Sequence, residues 1–270
     1  MNYLEISKGQ EVAYQLAGKS IAQGSVPLVL LHGFCEDSRL WDPILPFLTD
    51  LPIILIDLPG FGESDMPKTN DMHAYSAVIS TVLDNIGVQK CVLVGHSMGG
   101  YAALDFASKH SARLHGIGLF HSHPYADDEA RKDIRKRGME MLASGKRDLY
   151  VSQLFNSLFS PEFAAKNPEI LRIMIERGKL IPPEGIAAAL ETMMNRESHL
   201  ETLANLPCPV LFLTGDIDHL VPLDQTWKAA MLPKTAQVSI LESVAHMGMF
   251  ESTEKSAMAI VDFYKMAVAG

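Results

Sequence analysis

With 270 residues, 47% of them apolar, the chain is long enough to bury a large core in one domain, or in one domain carrying an insertion, without metal or disulfide support. Lys and Arg total 23 against 32 Asp and Glu, a net charge of -9 with no long basic run, which argues against nucleic acid or an anionic membrane surface as partner. Cys35, Cys91 and Cys208, odd in number and without metal-ligand spacing, read as free thiols; with no signal-peptide pattern and no apolar run of membrane-spanning length, a soluble cytoplasmic protein is expected.

Residues 1–17 read as two short strands around the turn Lys8-Gly9-Gln10. The continuous apolar runs 27–31 and 52–56 follow, the pattern of parallel strands buried on both faces. Tyr75, Val78, Ile79, Val82, Leu83 and Ile86 fall at helical spacing, with Gly87 as the stop. Strand 91–94 leads into Gly95-His96-Ser97-Met98-Gly99 and a helix over 99–109, and a further strand is expected at about 114–120. The rhythm resumes with strands at 209–213 and 236–241 and a final helix near 253–266. Strands alternating with helices imply an α/β fold: a mostly parallel central sheet of about eight strands flanked by helices.

Residues 122–206 interrupt that alternation with helical patterns, prolines and no convincing strand, so they are expected to form an inserted all-helical cap on a core made of 1–121 and 207–270. Leu149, Tyr150, Leu154, Phe155 and Leu158 make one apolar face in it, and Ile186, Ala189, Leu190, Met193 and Met194 another. The charge cluster Arg131-Lys132-Asp133, Arg135-Lys136-Arg137 reads as a solvated helix face, with recognition of an acidic ligand as the alternative.

The chemistry centres on Ser97. The glycines flanking it let the chain turn sharply between strand and helix, which lifts the hydroxyl to the end of the strand against a helix N-terminus. A serine hydroxyl needs a base, and the base needs a carboxylate to fix its tautomer. Chain order for such an elbow is Ser, acid, His. Of the two histidines beyond residue 200, His219 directly follows the candidate acid, whereas His246 follows the last expected strand and is taken as the base. Asp216 and Asp218, in a loop leaving a strand end, both qualify as the acid. The backbone N–H of Met98, next after the nucleophile, is the first donor to an oxyanion.

His32-Gly33-Phe34, Asp57-Leu58-Pro59-Gly60-Phe61-Gly62-Glu63-Ser64, the Ser97 elbow, Gly215-Asp216-Ile217-Asp218 and a late His246 stand in an order that resembles the α/β-hydrolase fold superfamily, in its capped serine-nucleophile branch of carboxylesterases, enol-lactonases and haloperoxidase-like enzymes. The resemblance spans nearly the whole chain. It implies Asp218 as the acid, with Asp216 a turn residue. His32 and His96, close to the site in sequence, read as neutral, hydrogen-bonded scaffolding. The resemblance also implies the Phe34 backbone N–H as second oxyanion donor and Asp57 as a residue ordering its loop. It places His121, at the exit of the strand before the insertion, either against substrate or at the hinge. Met98, Met247, Met249, Met193 and Met194 are candidates for an adaptable pocket lining, with plain core packing the alternative for each.

The expected function is hydrolysis of a small carboxylic ester, lactone or thioester through an acyl-enzyme, on a small-molecule acyl substrate, with no cofactor and no metal. Serine at position 97 sets the chain apart from the dehalogenases and epoxide hydrolases of that superfamily, which carry aspartate there. Two other readings use the same residues: a slow-turnover ligand sensor that signals to a protein partner through the cap, and a cofactor-free haloperoxidase making peracids.

Overall fold

The computed structural model describes residues 1–269. Eight strands form one sheet: β1 (Asn2–Ser7), β2 (Gln10–Gly18), β3 (Leu28–Leu31), β4 (Pro52–Ile56), β5 (Cys91–His96), β6 (Leu114–Phe120), β7 (Val210–Gly215) and β8 (Ala236–Leu241). Their order is β1-β2-β4-β3-β5-β6-β7-β8. Pairing is parallel from β4 through β8, and antiparallel only at β1 with β2 and β2 with β4. Every residue of β3, β5 and β7 is buried, the consequence of helices covering both faces, and it explains why these strands are continuous apolar runs.

The order reverses between β3 and β5. At such a switch point adjacent crossovers leave on opposite faces, and a crevice opens beyond the carboxyl ends of the strands.

Helix α1 (Met72–Asn85) begins one turn earlier than its apolar spacing suggests, because Asp71 caps it by accepting from the Ala74 N–H at 2.9 Å. Helix α2 (Met98–His110) follows β5 directly. Between β6 and β7 lie α3 (Glu129–Ala143), α4 (Arg147–Leu158), α5 (Pro161–Lys166), α6 (Pro168–Lys179), α7 (Pro183–Asn195) and α8 (Leu200–Ala204), with no strand among them.

Helix α9 (Leu223–Ala230), the short α10 (Gly248–Glu251) and α11 (Thr253–Ala269) complete the chain. α9 is not foreseen from the sequence because its 8 residues make barely two turns, too few for apolar spacing to tell a helix from a loop. The three cysteines are free and buried. No helix among the described residues is long and apolar enough to cross a membrane.

Candidate active site

Ser97 joins β5 to α2 at φ 48 and ψ -114, a conformation that L-residues adopt only under constraint. The constraint is visible. The Ser97 N–H donates to the Phe120 carbonyl at 2.9 Å, and the Ser97 carbonyl accepts from the Gly100 N–H at 2.9 Å and the Ser122 hydroxyl at 2.8 Å. Gly95 and Gly99 allow the backbone to close in: a Cβ on Gly95 would stand 2.3 Å from the Gly99 carbonyl, and one on Gly99 would stand 2.5 Å from the His32 carbonyl.

Met98 is the first residue of α2, so its N–H has no acceptor within the helix. Phe34, in the turn after β3, also has an N–H that donates to nothing among the described residues. Both therefore remain available to an incoming oxyanion.

Asp218, on the loop after β7, is buried and fully engaged. Its Oδ1 accepts from the N–H groups of Leu220 (2.9 Å) and Val221 (3.1 Å). Its Oδ2 accepts from Nδ1 of His246 and Nδ1 of His121, each at 2.8 Å. Burial opposes its charge, but His246, His121 and their hydrogen bonds outweigh burial and hold the carboxyl well below the usual carboxylate range. Because Nδ1 of His246 points at the carboxylate, its Nε2 carries the lone pair, and that atom is buried with no hydrogen-bond partner among the described residues.

His121 is held from both sides of its ring, since Nε2 accepts from the Gly248 N–H at 3.2 Å. Burial pushes its pKa down to about 4, against the pull of Asp218, so the ring is neutral. Asp218, His121 and His246 form the one cluster of metal-ligand side chains among the described residues, but their donor atoms bond one another or backbone, which accounts for their closeness without an ion.

A second buried pair lies beside the elbow. Glu36 Oε2 accepts from the Gly33 N–H at 2.7 Å and from His96 Nδ1 at 3.0 Å, while His96 Nε2 donates to the His246 carbonyl at 3.0 Å. Both ring nitrogens face acceptors, which favours the imidazolium over the neutral ring expected from the sequence. Burial works against that charge, and Glu36 outweighs it to raise the His96 pKa above its ordinary value. The pair thus ties the Phe34 loop, the elbow and the His246 backbone together.

Over these groups lies a cavity of about 490 Å³, with Phe34, Glu36, Ser97 and His246 on its floor and α3, α4 and α7 as its roof. A family model described as the alpha/beta hydrolase fold matches residues 26–253.

The chain belongs to the alpha/beta hydrolase family.

Among solved structures, a thermophilic esterase from Thermogutta terrifontis with malate bound is 27% identical, covers 99% of both chains and superposes with a TM-score of 0.90. The enol-lactonase from Burkholderia xenovorans LB400 superposes at 0.88 over 97% of this chain and 99% of its own, at 18% identity, a likeness of fold. Among curated relatives, the biotin biosynthesis bifunctional protein BioHC of Cellvibrio japonicus is 28% identical over 88% of this chain and 47% of its own length. A 2-succinyl-6-hydroxy-2,4-cyclohexadiene-1-carboxylate synthase of Enterobacter is 33% identical over 51% of this chain and 54% of its own. The chain spans about half the length of these two curated relatives.

In this alpha/beta hydrolase, Ser97, His246, Asp218, and the Phe34 and Met98 backbones are brought to one place by four different strand ends, and Met193 lines the cavity. Five expected pocket residues do not line it, among them Met98, whose side chain is fully buried beneath the elbow. His121 is fully buried and faces Asp218 and Gly248 rather than substrate. Met247 and Met249 are fully buried core side chains, and Met194 falls on the neighbouring face of α7, one residue step away from Met193.

Asp216 is exposed and its carboxylate makes no hydrogen bond, so the turn role expected of it is absent. His32 is scaffolding: Nδ1 donates to the Gly33 carbonyl at 2.8 Å and Nε2 accepts from the Leu58 N–H at 2.8 Å. Asp57 orders two loops by accepting from the N–H groups of Ser38 and Glu63. Glu36 went unnoticed in the sequence, although an acidic residue four positions past His32 is a visible signal.

Proposed function

We propose that the protein is a serine hydrolase that cleaves a small carboxylic ester through an acyl-enzyme. The observation that carries this reading is the pairing of a strained Ser97 elbow with a His246 whose Nδ1 is held by Asp218 and whose Nε2 has no partner, both at one cavity. The esterase from Thermogutta terrifontis, alike over nearly its whole length, supports an ester as the bond cleaved.

In this mechanism Ser97 Oγ attacks the ester carbonyl as its proton passes to His246 Nε2, and Asp218 stabilises the imidazolium that forms. The tetrahedral oxyanion is received by the N–H groups of Met98 and Phe34, fixed donors that need no reorganisation. His246 then gives its proton to the departing alcohol. Water enters, loses a proton to His246 and attacks the acyl carbon; this second tetrahedral intermediate, held in the same oxyanion site, breaks its bond to Ser97 Oγ, which takes the proton back from His246 as the carboxylic acid leaves. The helices α3 to α8 serve as the cap that limits the substrate to small acyl compounds and excludes water.

Hydrolysis of p-nitrophenyl esters of increasing acyl length, by the protein and its Ser97→Ala variant, tests the reading. Turnover that depends on Ser97 and peaks at short chains supports it. A single slow acylation of a folded protein overturns it in favour of a ligand sensor.

A further inference from the structure

The cavity is mostly apolar, yet three arginines of α3, Arg131, Arg135 and Arg137, reach its wall, and the one acidic side chain there is Glu36. Glu36 is matched by His96, so it neutralises none of them. Arg135 is matched by Asp127, but Asp127 also bonds Arg196 at 2.6 Å, so one buried carboxylate serves two guanidinium groups. Arg131 has no carboxylate partner among the described residues. Its Nη2 donates to the Leu220 carbonyl at 2.7 Å and its Nη1 meets His123 Nε2 at 3.3 Å, both neutral acceptors. Arg137 stands at the rim, exposed and likewise without a carboxylate partner.

The positive excess acts on its surroundings. His123 is pushed down to about 3 by burial and by the cations of Arg196 and Arg131. A cavity wall of this sign in a chain of net charge -9 runs against the overall field. Arg131 shares a face of α3 with Ile134, Gly138 and Met141, at the spacing of successive turns, and that face is the roof of the cavity.

We propose that the substrate carries a carboxylate, held by Arg131 with Arg137 at the rim, while the apolar wall takes the rest of the molecule. This rests on the hydrolase reading and adds the substrate class to it. The guanidinium offers a planar pair of donors to a carboxylate, and the charge that neutral partners leave uncompensated is met on binding.

The test is a matched pair of esters: p-nitrophenyl pentanoate and the mono-p-nitrophenyl ester of glutaric acid, in which a carboxylate replaces the terminal methyl. Rates are taken above those of the Ser97→Ala variant, so that intramolecular hydrolysis of the glutarate ester is removed. The glutarate ester is expected to have the higher kcat/KM, by about tenfold or more, for one charge-assisted hydrogen bond. Arg131→Gln should bring the ratio down toward one, and Arg131→Lys should restore part of it, which a merely structural role for the side chain would not do. Raising salt from about 0.05 to about 0.5 M should also lower the ratio in the unaltered protein.

A ratio near or below one in the unaltered protein, or one that Arg131→Gln leaves unchanged, overturns the proposal. If Arg131→Gln does not fold, the salt series decides, and a flat ratio overturns it. If neither ester is turned over, calorimetry with glutarate separates the two ideas. Binding that weakens with salt and in Arg131→Lys keeps the carboxylate site and removes the hydrolase reading; no binding removes the site.

Discussion

His121 and His246 donate to the same oxygen of Asp218, each at 2.8 Å, and the other ring nitrogen of His121 is held by the Gly248 N–H. In the proposed mechanism His246 gains a proton, whereas His121 is held at both ring nitrogens. That would make His121 a positioning residue, fixing the Asp218 carboxylate against which the base must stand.

Replacing His121 by Phe leaves the Gly248 N–H and one Asp218 lone pair without a partner, at a cost of about 1–3 kcal/mol. Ester turnover should fall between about tenfold and 100-fold in kcat through misplacement of the base, with KM little changed. Steady-state kinetics on the folded variant checks this. An unaltered kcat removes the positioning role.

Ser97→Ala and His246→Ala should each remove nearly all turnover, and Asp218→Asn should lower it by up to ~10⁴-fold, the loss known for the aspartate of a serine protease triad. Asp216→Asn is the matched control, because that carboxylate is exposed and makes no hydrogen bond. Full activity in Asp218→Asn, or a comparable loss in Asp216→Asn, would move the acid.

Stability should rise with pH between about 4 and the ordinary histidine range. His121 is neutral in the folded protein down to about 4, and the unfolded chain takes up its proton near 6.5, so over that interval the unfolded state binds more protons. The stabilisation is complete above the unfolded value and is lost as pH falls toward about 4, a change on the order of 3 kcal/mol. His123 acts in the same direction, down to about 3. His96 acts oppositely: its pKa is raised, so its contribution is present below the unfolded value and is lost as pH rises through the folded one. Urea midpoints measured across pH 4–7 should climb, and a slope that stays the same in His121→Phe contradicts the assignment.

Glu36→Gln should destabilise the protein by about 3 kcal/mol, because it leaves His96 as a buried charge without its counterion. His96 should then give up its proton more readily, and its titration, followed by NMR, should move down from its raised value, because only the His246 carbonyl and the charge of Asp218 are left to oppose burial. A His96 pKa that remains raised would mean that Glu36 is not the cause.

Gly95→Ala and Gly99→Ala should fail to give folded protein, since the added methyl would meet backbone at 2.3 and 2.5 Å. Gly9→Ala, in the β1–β2 turn, also has a positive φ, of 69°, but nothing within 4 Å, so it should cost only about 1 kcal/mol. Circular dichroism and urea unfolding distinguish the two outcomes.

Much of the fold was legible because its signals are local. β6 and β8 fall where their patterns place them, and the elbow around Ser97 is spelled by residues adjacent in the chain. Short elements were not legible, as α9 shows with its 8 residues.

By itself, the sequence determined the sheet and helix alternation, the turn that carries Ser97 and the chain order of the groups that could serve it, because strand and helix periods and a glycine-flanked turn depend on neighbours in the chain. Only the tertiary structure decided that His121 reaches Asp218 across 97 residues, that Glu36 pairs with His96, and that Arg131 faces the cavity rather than water. Periodicity assigns residues to faces of a helix but leaves open which face turns inward. For α3 that choice is made by its packing on α4 and α7, where Gly138 admits the Tyr150 ring and Leu190, and the arginine-bearing face is carried over Ser97.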